Sequence, residues 1–397
     1  MKKLIAISVM FALVAGAAFA ADISATLDVR MVLMQGDSGE DSKASIGGLI
    51  ADGYFQTSSQ NSDSTFGGVL RVKANQMTSD EPGGGGSSVA QFHRAFVWWR
   101  PIPQLRVFLG KECDGLFGTD PLTAWPFHQG AENYINYHDW DYWRTVFPGN
   151  WDQFGLAFSV YPIPGLELNL VIPTGRKAWP YEYDTRALNW EDVFGHIRFQ
   201  GSFAIPDIGR IYLSWIGPGM NFDDVADNGH SGNLGVSFLL TAVQGLQVQA
   251  GISTWLAKDS DVSNYPLIAG LAAHYTGSDF GVKFRSAFEI GGFAPAGEGW
   301  RFENTSAGGL PEGNAIQFNV MPWYNLGALV GFFDIGMRMN MPDADGVDNV
   351  TNWYINPYIR VPVAGGGTIR LGLKIDGTSV EDSNVNFSLP VQFVYSF

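Results

Sequence analysis

The residues of this chain that could carry out catalysis are scattered along the sequence. Ser38 follows Gly36 and Asp37 in "GDSGEDS", but this polar segment lacks the setting of a nucleophile elbow. The six histidines are dispersed, and neither an HExxH nor a CxxC pattern occurs. Cys113 is the only cysteine, so no disulfide forms within the chain. The sequence therefore predicts no enzyme activity and no cofactor.

Closely spaced carboxylates occur in several polar segments and could bind a metal ion. The best arranged are Asp343, Asp345 and Asp348 in "DADGVDN". Carboxylates two residues apart beside Gly or Asn offer the oxygen ligands that Ca²⁺ and Mg²⁺ prefer. None of these segments completes an EF-hand pattern with its terminal Glu, so solvated loop acids are the simpler interpretation.

Basic residues fall in segments where apolar and polar residues alternate. In "TIRLGLKID", Arg370 and Lys374 share the face opposite Ile369 and Leu371, and "FGVKFRSAFEI" and "VLRVKA" follow the same pattern. A period of two is typical of a strand whose two faces meet different surroundings. The residues predicted to lie on such polar faces include Arg71, Lys73, Arg94, Arg106, Arg198, Arg210, Lys283, Arg285, Arg338, Arg360, Arg370 and Lys374.

The acids are distributed differently from the basic residues. The formal net charge is -15, but most acids lie in predicted loops, which makes nucleic acid an improbable partner without excluding a basic strand face. An alternative stays open, in which Lys and Arg merely occupy wet faces and ion pairs cancel their field. The acids predicted on strands are chiefly Asp28, Glu112, Glu167, Glu289, Asp334 and Asp376.

The elements that would position these side chains are hairpins joined by alternately short and long connections. Segments such as "YPIPGLELNL", "AIPDIGRIYL" and "VAGGGTIRLG" place Pro, Gly or Asp between two alternating runs, which is hairpin chemistry. Such turns recur roughly every forty residues, like a loose internal repeat. We predict an all-β fold, a transmembrane antiparallel β-barrel of about 18 strands with 16 as the alternative, with short periplasmic turns and long extracellular loops.

The N-terminus supports an outer-membrane location. Residues 1–20 combine Lys2 and Lys3, an apolar run and Ala18-Phe19-Ala20, the layout of a cleavable signal peptide. No later stretch approaches the ~18 apolar residues of a spanning helix. Residues 21–397 are therefore predicted to form one barrel domain. Its interfacial aromatic girdles would include Trp98, Trp99, Tyr161, Trp215, Tyr275, Trp323, Tyr324, Trp353 and Tyr395.

The chain ends on "VNFSLPVQFVYSF", in which large apolar residues alternate to the last position. This ending resembles the C-terminal signal of outer-membrane proteins, carried here by Phe393, Tyr395 and Phe397, which the barrel-assembly machinery reads. We expect this strand to pair with the first one, "ISATLDVRMVL", because closure removes both free edges. The strand count and loop layout resemble porins, including those of spirochaete outer membranes. That resemblance implies outer-membrane lipid and small hydrophilic solutes as partners, and a homotrimer.

The longest connection, at about 113–151, would join the fifth and sixth strands. In porins the loop at this place folds inward and narrows the channel, so the resemblance implies a constriction. A loop packed on its own aromatic residues is the alternative. The predicted constriction residues are Glu132, Tyr134, Tyr137, Asp139, Trp140, Asp141 and Trp143.

The predicted function is that of a porin, a water-filled diffusion channel for small hydrophilic solutes. Two alternatives remain. One is a sugar-selective channel that uses the aromatic loop as a stacking track, and the other is a surface adhesin or structural barrel.

Overall fold

The structure, a computed structural model, describes residues 21–38, 49–60, 63–77, 87–111, 154–173, 176–178, 182–184, 197–216, 230–257, 267–292, 313–342, 348–379 and 384–396. These residues form strands throughout. The first nine are β1 Ala21–Asp37, β2 Leu49–Gln60, β3 Phe66–Met77, β4 Ser87–Ile102, β5 Leu105–Lys111, β6 Phe154–Val160, β7 Leu166–Pro173, β8 Arg176–Ala178 and β9 Glu182–Asp184. The remainder are β10 Arg198–Ile205, β11 Gly209–Ile216, β12 His230–Val243, β13 Leu246–Ala257, β14 Leu267–Thr276, β15 Phe280–Gly292, β16 Gly313–Asn325, β17 Val330–Pro342, β18 Val350–Val363, β19 Gly367–Gly372, β20 Lys374–Thr378 and β21 Asn386–Ser396.

All strands except β8 and β9 form one closed antiparallel sheet. The short β8–β9 hairpin stands apart, and β7 pairs directly with β10. The segments β19 and β20 both pair with β18 and β21, so they are two halves of one strand interrupted at Leu373. The result is a barrel of 18 strands, which confirms the predicted fold and the larger of the two strand counts.

The first and last strands close the barrel. Val29 pairs with Phe393 and Leu27 with Tyr395, on the predicted first strand. The hydroxyls of Thr26 and Ser396 lie 3.1 Å apart at the end of this seam. The expected closure is therefore confirmed, and neither β1 nor β21 is left as a free edge.

The connections alternate in length around the barrel. Short turns join β2 to β3, β4 to β5, β6 to β7, β10 to β11, β12 to β13, β14 to β15, β16 to β17 and β18 to β19. Gly245 in the β12–β13 turn has a φ of 76°, and a Cβ there would come within 2.7 Å of the carbonyl oxygen of Thr276, so only glycine fits. The longer connections lie at the other end of the strands, as predicted. In particular, residues 112–153 join β5 to β6.

Burial along the strands is the reverse of that in a soluble protein. On β11, Leu213 is 44% exposed while the adjacent Ser214 is 3% exposed, and on β13 the corresponding values are 48% for Ile252 and 2% for Ser253. Successive side chains of a strand point to opposite faces. The outside of the barrel is therefore mainly apolar, as a lipid environment requires. The lumen is mainly polar, with apolar clusters such as that of Phe96, Phe108 and Val171.

The predicted aromatic girdle is wrong at two positions, Trp98 and Trp323. Trp323 follows the buried Met321 by two residues on β16, so it faces the lumen. Trp98 is buried and faces the lumen, whereas its neighbour Trp99 is exposed on the outer face. Adjacent residues of a strand cannot both face lipid, because their side chains alternate. The pair of tryptophans thus serves two surfaces.

Among the residues that the structure describes, no helix has the length and apolar character needed to cross a membrane.

Candidate functional site in the barrel lumen

The lumen has two walls of different chemistry. We call the inward face of β15–β21 and β1–β5 the charged wall, because its side chains include arginines, lysines, aspartates and aromatic rings. We call the inward face of β6, β7 and β10–β14 the neutral wall, because hydroxyl, amide and small side chains predominate there. The two walls meet where β5 pairs with β6 and where β14 pairs with β15.

Most of the predicted basic residues occupy inward positions of the charged wall. Lys73 and Arg94 lie on β3 and β4, and Arg198 lies on β10 of the neutral wall, but their side chains are outside the described part of the structure. The basic residues of the charged wall with described side chains are Arg71, Arg106, Lys283, Arg285, Arg338, Arg360, Arg370 and Lys374.

Two arginines on β3 and β5 lie over aromatic rings. The guanidinium carbon of Arg71 is 4.3 Å from the centre of the Tyr54 ring. That of Arg106 is 5.0 Å from the Trp98 ring and 5.9 Å from the Phe108 ring. A guanidinium over an aromatic face is attracted by the ring's quadrupole, so the rings fix these cations against the wall.

A third arginine belongs to a stack on β17 and β18. The rings of Phe332 and Tyr358 lie 4.5 Å apart and nearly parallel, and the guanidinium of Arg360 lies 5.3 Å from the centre of Phe332. The Tyr358 hydroxyl donates to the sulfur of Met321 at 3.4 Å. Arg360 also pairs in register with Arg370 on β19, so two cations are neighbours here.

The closing seam carries a relay of polar side chains. Arg370 donates to the side-chain oxygen of Gln392 at 2.7 Å, and the Gln392 amide donates to the carboxylate of Asp28 at 2.8 Å. Gln392 and Asp28 are both buried. The relay joins β19, β21 and β1 across the strands that close the barrel.

A buried carboxylate lies between β16 and β18. Asp334 accepts hydrogen bonds from the side-chain amide of Asn319 and from the hydroxyl of Tyr354, the latter at 3.2 Å. The Asn319 amide also donates to the Tyr354 hydroxyl oxygen at 2.7 Å. Gly336 makes room for this contact, since a Cβ there would lie 2.2 Å from the Tyr354 ring. Arg285 is adjacent, because it pairs in register with Asn319.

Lys374 and Asp376 form an ion pair at 3.2 Å, toward the end of the charged wall where the long connections lie. Asp376 also accepts a hydrogen bond from Asn386 at 3.2 Å. This end of the wall therefore combines a cation with a carboxylate that partly offsets it.

The neutral wall contains polar atoms that are buried without a hydrogen-bond partner. They include the hydroxyls of Ser159 and Ser253 and the amide oxygens of Asn169, Gln200 and Gln249. Three of these residues form a row across adjacent strands, because Ser159 pairs with Asn169 and Asn169 with Gln200. Each side chain is at most 4% exposed.

The charges described on the neutral wall are largely paired. Glu167 and Arg210 approach to 3.8 Å, and Arg210 donates to the hydroxyl of Ser202 at 3.5 Å. His274 lies at the border, where it pairs in register with Lys283. The lumen therefore presents cations chiefly from one side.

Several predicted site residues fall outside the described residues. These comprise the whole constriction set from Glu132 to Trp143, Asp343 and Asp345, and the terminal Phe397. Asp348 is described and exposed. In the parts of the chain with described coordinates, no group of three or more His, Cys, Asp or Glu side chains could hold a metal ion.

The structure also reveals groupings that the sequence analysis missed. Alternation placed the arginines on inward faces, but the stacking of Arg360 on Phe332 depends on strand register. The same holds for Asn319 and Tyr354 beside Asp334. A sequence signal existed for the neutral wall, because Ser, Gln and Ala recur at alternate positions of β10, and Gln and Ser recur on β13.

Solved structures share this fold across nearly the whole chain. Acinetobacter baumannii OccAB4 superposes with a TM-score of 0.59 at 10% identity, covering 95% of this chain and 98% of that one. Pseudomonas aeruginosa OpdQ gives the same TM-score at 11% identity, with 95% and 98% covered. The structure of Pseudomonas aeruginosa OpdK with vanillate gives 0.56 at 11% identity, with 95% and 99% covered.

No family model matches the sequence, and no curated protein matches it either. At identities near a tenth, the structural likeness establishes the fold alone. The chain thus has the fold of a porin-type β-barrel, and its activity has to be argued from its own lumen.

Proposed function

We propose that this protein is a passive outer-membrane channel for small hydrophilic solutes, and that it favours anions. The observation that carries the proposal is the charged wall, on which Arg71, Arg106, Arg360 and Arg370 lie partly exposed toward the lumen. A barrel of this strand number has room for an aqueous path, and side chains along such a path set which ions enter.

The net charge of -15 does not contradict an anion preference. Total charge governs solubility and attraction at long range rather than selection inside a pore. Carboxylates in bulk salt are screened within about 8 Å at physiological ionic strength. Arg71, Arg106, Arg360 and Arg370 lie on the inner wall itself and are screened less. We expect them to outweigh the distant acids.

The connection at 113–151 is proposed to fold into the lumen and form the constriction. Support comes from the neutral wall, whose polar side chains are almost fully buried although they face the inside of a wide barrel. The charged wall, with half-buried Arg71 and Arg360, would then border the open path. Deleting residues 133–143 should raise single-channel conductance, and an unchanged conductance would place the loop outside the pore.

The ends of the chain are proposed to serve export and assembly. Residues 1–20 would act as the signal peptide, and Phe393, Tyr395 and Phe397 as the signal for the assembly machinery. Phe393 and Tyr395 are the residues that pair with β1, which fits a signal read before closure. Deletion of Phe397 should lower the yield of heat-modifiable barrel in the outer membrane, and a normal yield would contradict this role. A homotrimer is proposed from porin resemblance, to be checked by native mass spectrometry.

The decisive experiment is conductance of the purified full-length protein in a planar bilayer, with reversal potential under a KCl gradient. We expect open channels with a reversal potential on the anion side. Block by added vanillate, a small aromatic carboxylate, would indicate that organic anions of this kind enter the channel. Block by neutral saccharides alone would favour the sugar-selective alternative, and a barrel that never conducts would favour the structural one.

A further inference from the structure

The outer face of the barrel contains an apolar groove over β15–β19, with a volume of about 840 Å³. Six of the residues that line it are Val282, Pro322, Gly331, Phe333, Pro357 and Leu371. This volume is in the range of sites that enclose small ligands. The groove interrupts a surface that elsewhere presents protruding side chains such as Leu213 and Ile252.

Strand register explains the shape of the groove nearest the turns. Tyr324 on β16 pairs with Gly331 on β17, and Gly331 pairs with Ile359 on β18. Gly331 therefore leaves a gap between two large outward side chains. A Cβ added there would contact only the side chain of Leu326, at 3.6 Å, so the space in front of it is open.

The next outward row deepens this gap. Pro322 pairs with Val282 on one side, and Pro357 pairs with Phe333 on the other. A proline ring is compact and rigid, and it offers no N–H to the ladder. The β16–β17 pairing accordingly skips from Val320 to Trp323 at Pro322. Two prolines and a glycine thus form a low floor with Phe333 standing between them.

The position of the groove identifies what it faces. Val282 follows the β14–β15 turn by three residues, and Pro322 precedes the β16–β17 turn by a similar distance. With about 3.4 Å per residue, both lie on the order of 10 Å from the short turns. The groove is therefore in the half of the membrane nearer the periplasm, where its apolar walls meet lipid acyl chains.

The rim of the groove carries one kind of charge. Asp279 is exposed in the β14–β15 turn, directly before Phe280 of the groove, and its carbonyl accepts from the Asn325 amide at 2.7 Å. Among the described residues of the turns at 277–279, 326–329 and 364–366 there is no Lys or Arg. This rim complements a cationic group rather than a phosphate alone.

We propose that the groove binds one phospholipid of the periplasmic leaflet, with an acyl chain over Gly331, Pro322 and Pro357 and an amino headgroup beside Asp279. A flexible acyl chain can follow a concave surface. A neighbouring barrel would instead have to bring a convex ridge of side chains that matches the groove. The proposal concerns the lipid face of the barrel and does not depend on what the lumen conducts.

The test uses the full-length protein in nanodiscs of phosphatidylethanolamine and phosphatidylglycerol. In parallel samples, a trace of one lipid or of the other carries a photoactivatable acyl chain. We expect labelling to concentrate on the peptides that contain Pro322, Phe333 and Pro357. Equal labelling around the barrel, including the peptide of Ile252, would overturn the proposal. Exclusion of label from the groove together with crosslinks between protein copies would also overturn it, in favour of an oligomer interface.

Variants separate the two parts of the site. Gly331→Leu fills the floor and should abolish the concentrated labelling, whereas Ala250→Leu adds the same side chain elsewhere on the lipid face and should leave it unchanged. Asp279→Asn should keep the labelling but remove the preference for phosphatidylethanolamine over phosphatidylglycerol. Persistent labelling in Gly331→Leu, or an unaltered preference in Asp279→Asn, would refute the corresponding part. Conductance equal to that of the wild type verifies that each variant has folded. If Gly331→Leu does not assemble, the labelling pattern of the wild-type protein decides alone.

Discussion

On the charged wall the buried carboxylate of Asp334 accepts bonds from Asn319 and Tyr354, whereas on the neutral wall the hydroxyls of Ser159 and Ser253 are buried with no partner. A hydrogen bond that is made contributes modestly to stability, while a buried polar atom left without one is costly. The carboxylate of Asp334 is therefore satisfied by neighbouring side chains, whereas the two hydroxyls are not. The charged wall is not satisfied everywhere, because Arg106 Nε and the side-chain amide of Asn356 are also buried without a described partner.

Exposure differs between the stacked arginines of the charged wall and the amides of the neutral wall. The stacked arginines remain partly open to the lumen, but the amides of the neutral wall are closed off. Groups that stay open and positively charged can meet a solute, and groups that are covered must meet something that covers them. The contrast supports the proposal that solutes meet the stacked arginines of the charged wall.

The largest effect is expected from Asn319→Leu. This change leaves Asp334 buried with one fewer donor, which should lower the free energy of unfolding by about 3 kcal/mol, since the remaining acceptor is charged. Gln200→Leu on the neutral wall is the matched change, and it removes an amide oxygen that has no partner. Urea unfolding in lipid vesicles measures both. Equal losses in the free energy of unfolding would show that the hydrogen bond from Asn319 contributes no more than the unpaired amide of Gln200.

Gly336→Ala should come next. Its Cβ would collide with the Tyr354 ring and push the hydroxyl away from Asp334, at a cost of about 2 kcal/mol. Gly331→Ala lies on the same strand, faces lipid and meets only Leu326. The same unfolding assay should find Gly331→Ala close to wild type. A tolerated Gly336→Ala would mean that the Tyr354 contact contributes little.

Selectivity should respond to charge on one wall only. At about 8 Å in water each cation contributes roughly 0.5 kcal/mol to an ion's energy, so the quadruple change of Arg71, Arg106, Arg360 and Arg370 to Gln should shift the anion-to-cation permeability ratio roughly three- to tenfold toward cations after screening. Reversal potentials under a KCl gradient measure the ratio.

The control for that experiment is Glu167→Gln combined with Arg210→Gln, which removes the ion pair of the neutral wall without changing the net charge. The permeability ratio should stay at the wild-type value. If this double change moved the ratio as far as the quadruple change does, the assignment of selectivity to the charged wall would be wrong.

The smallest effects are expected from Ser159→Ala and Ser253→Ala. Each removes a buried hydroxyl that has no partner, so stability should be unchanged or rise by up to about 1 kcal/mol. A loss measured by urea unfolding would reveal that a hydrogen bond forms at that serine in the membrane. The buried hydroxyl of the neutral wall would then have a hydrogen-bond partner at that position.

The strands and the turns could be predicted because each depends on local sequence, and closure is expected because it removes the free edges of the first and last strands. Alternation over a few residues fixes which face Arg370 or Phe393 occupies, and short Pro and Gly segments fix where strands reverse. The contacts within the lumen could not be predicted in this way. Asn319, Asp334 and Tyr354 meet across three strands, and a shift of one residue in register would separate them.

The same limit applies to the lipid face. Pro322, Gly331 and Pro357 lie on three different strands, and each alone indicates only a weak point in its strand. Their alignment into a floor is a product of pairing between β16, β17 and β18. The error at Trp98 has another cause. Its aromatic side chain near a strand end suggested an interfacial position, although the alternation of side chains along the strand places it inside the barrel.

The seam between β1 and β21 has a consequence for the order of folding. The bond from Gln392 to Asp28 joins residues 364 positions apart, and the Thr26 and Ser396 hydroxyls are 370 apart. Contacts of such long range form late, because the entropy of closing the loop must be overcome before they stabilise anything. Until then β1 and β21 are both unpaired edges, open to pairing with other chains. The nascent barrel thus has its greatest risk of aggregation just before closure, when all but one of its ladders are complete.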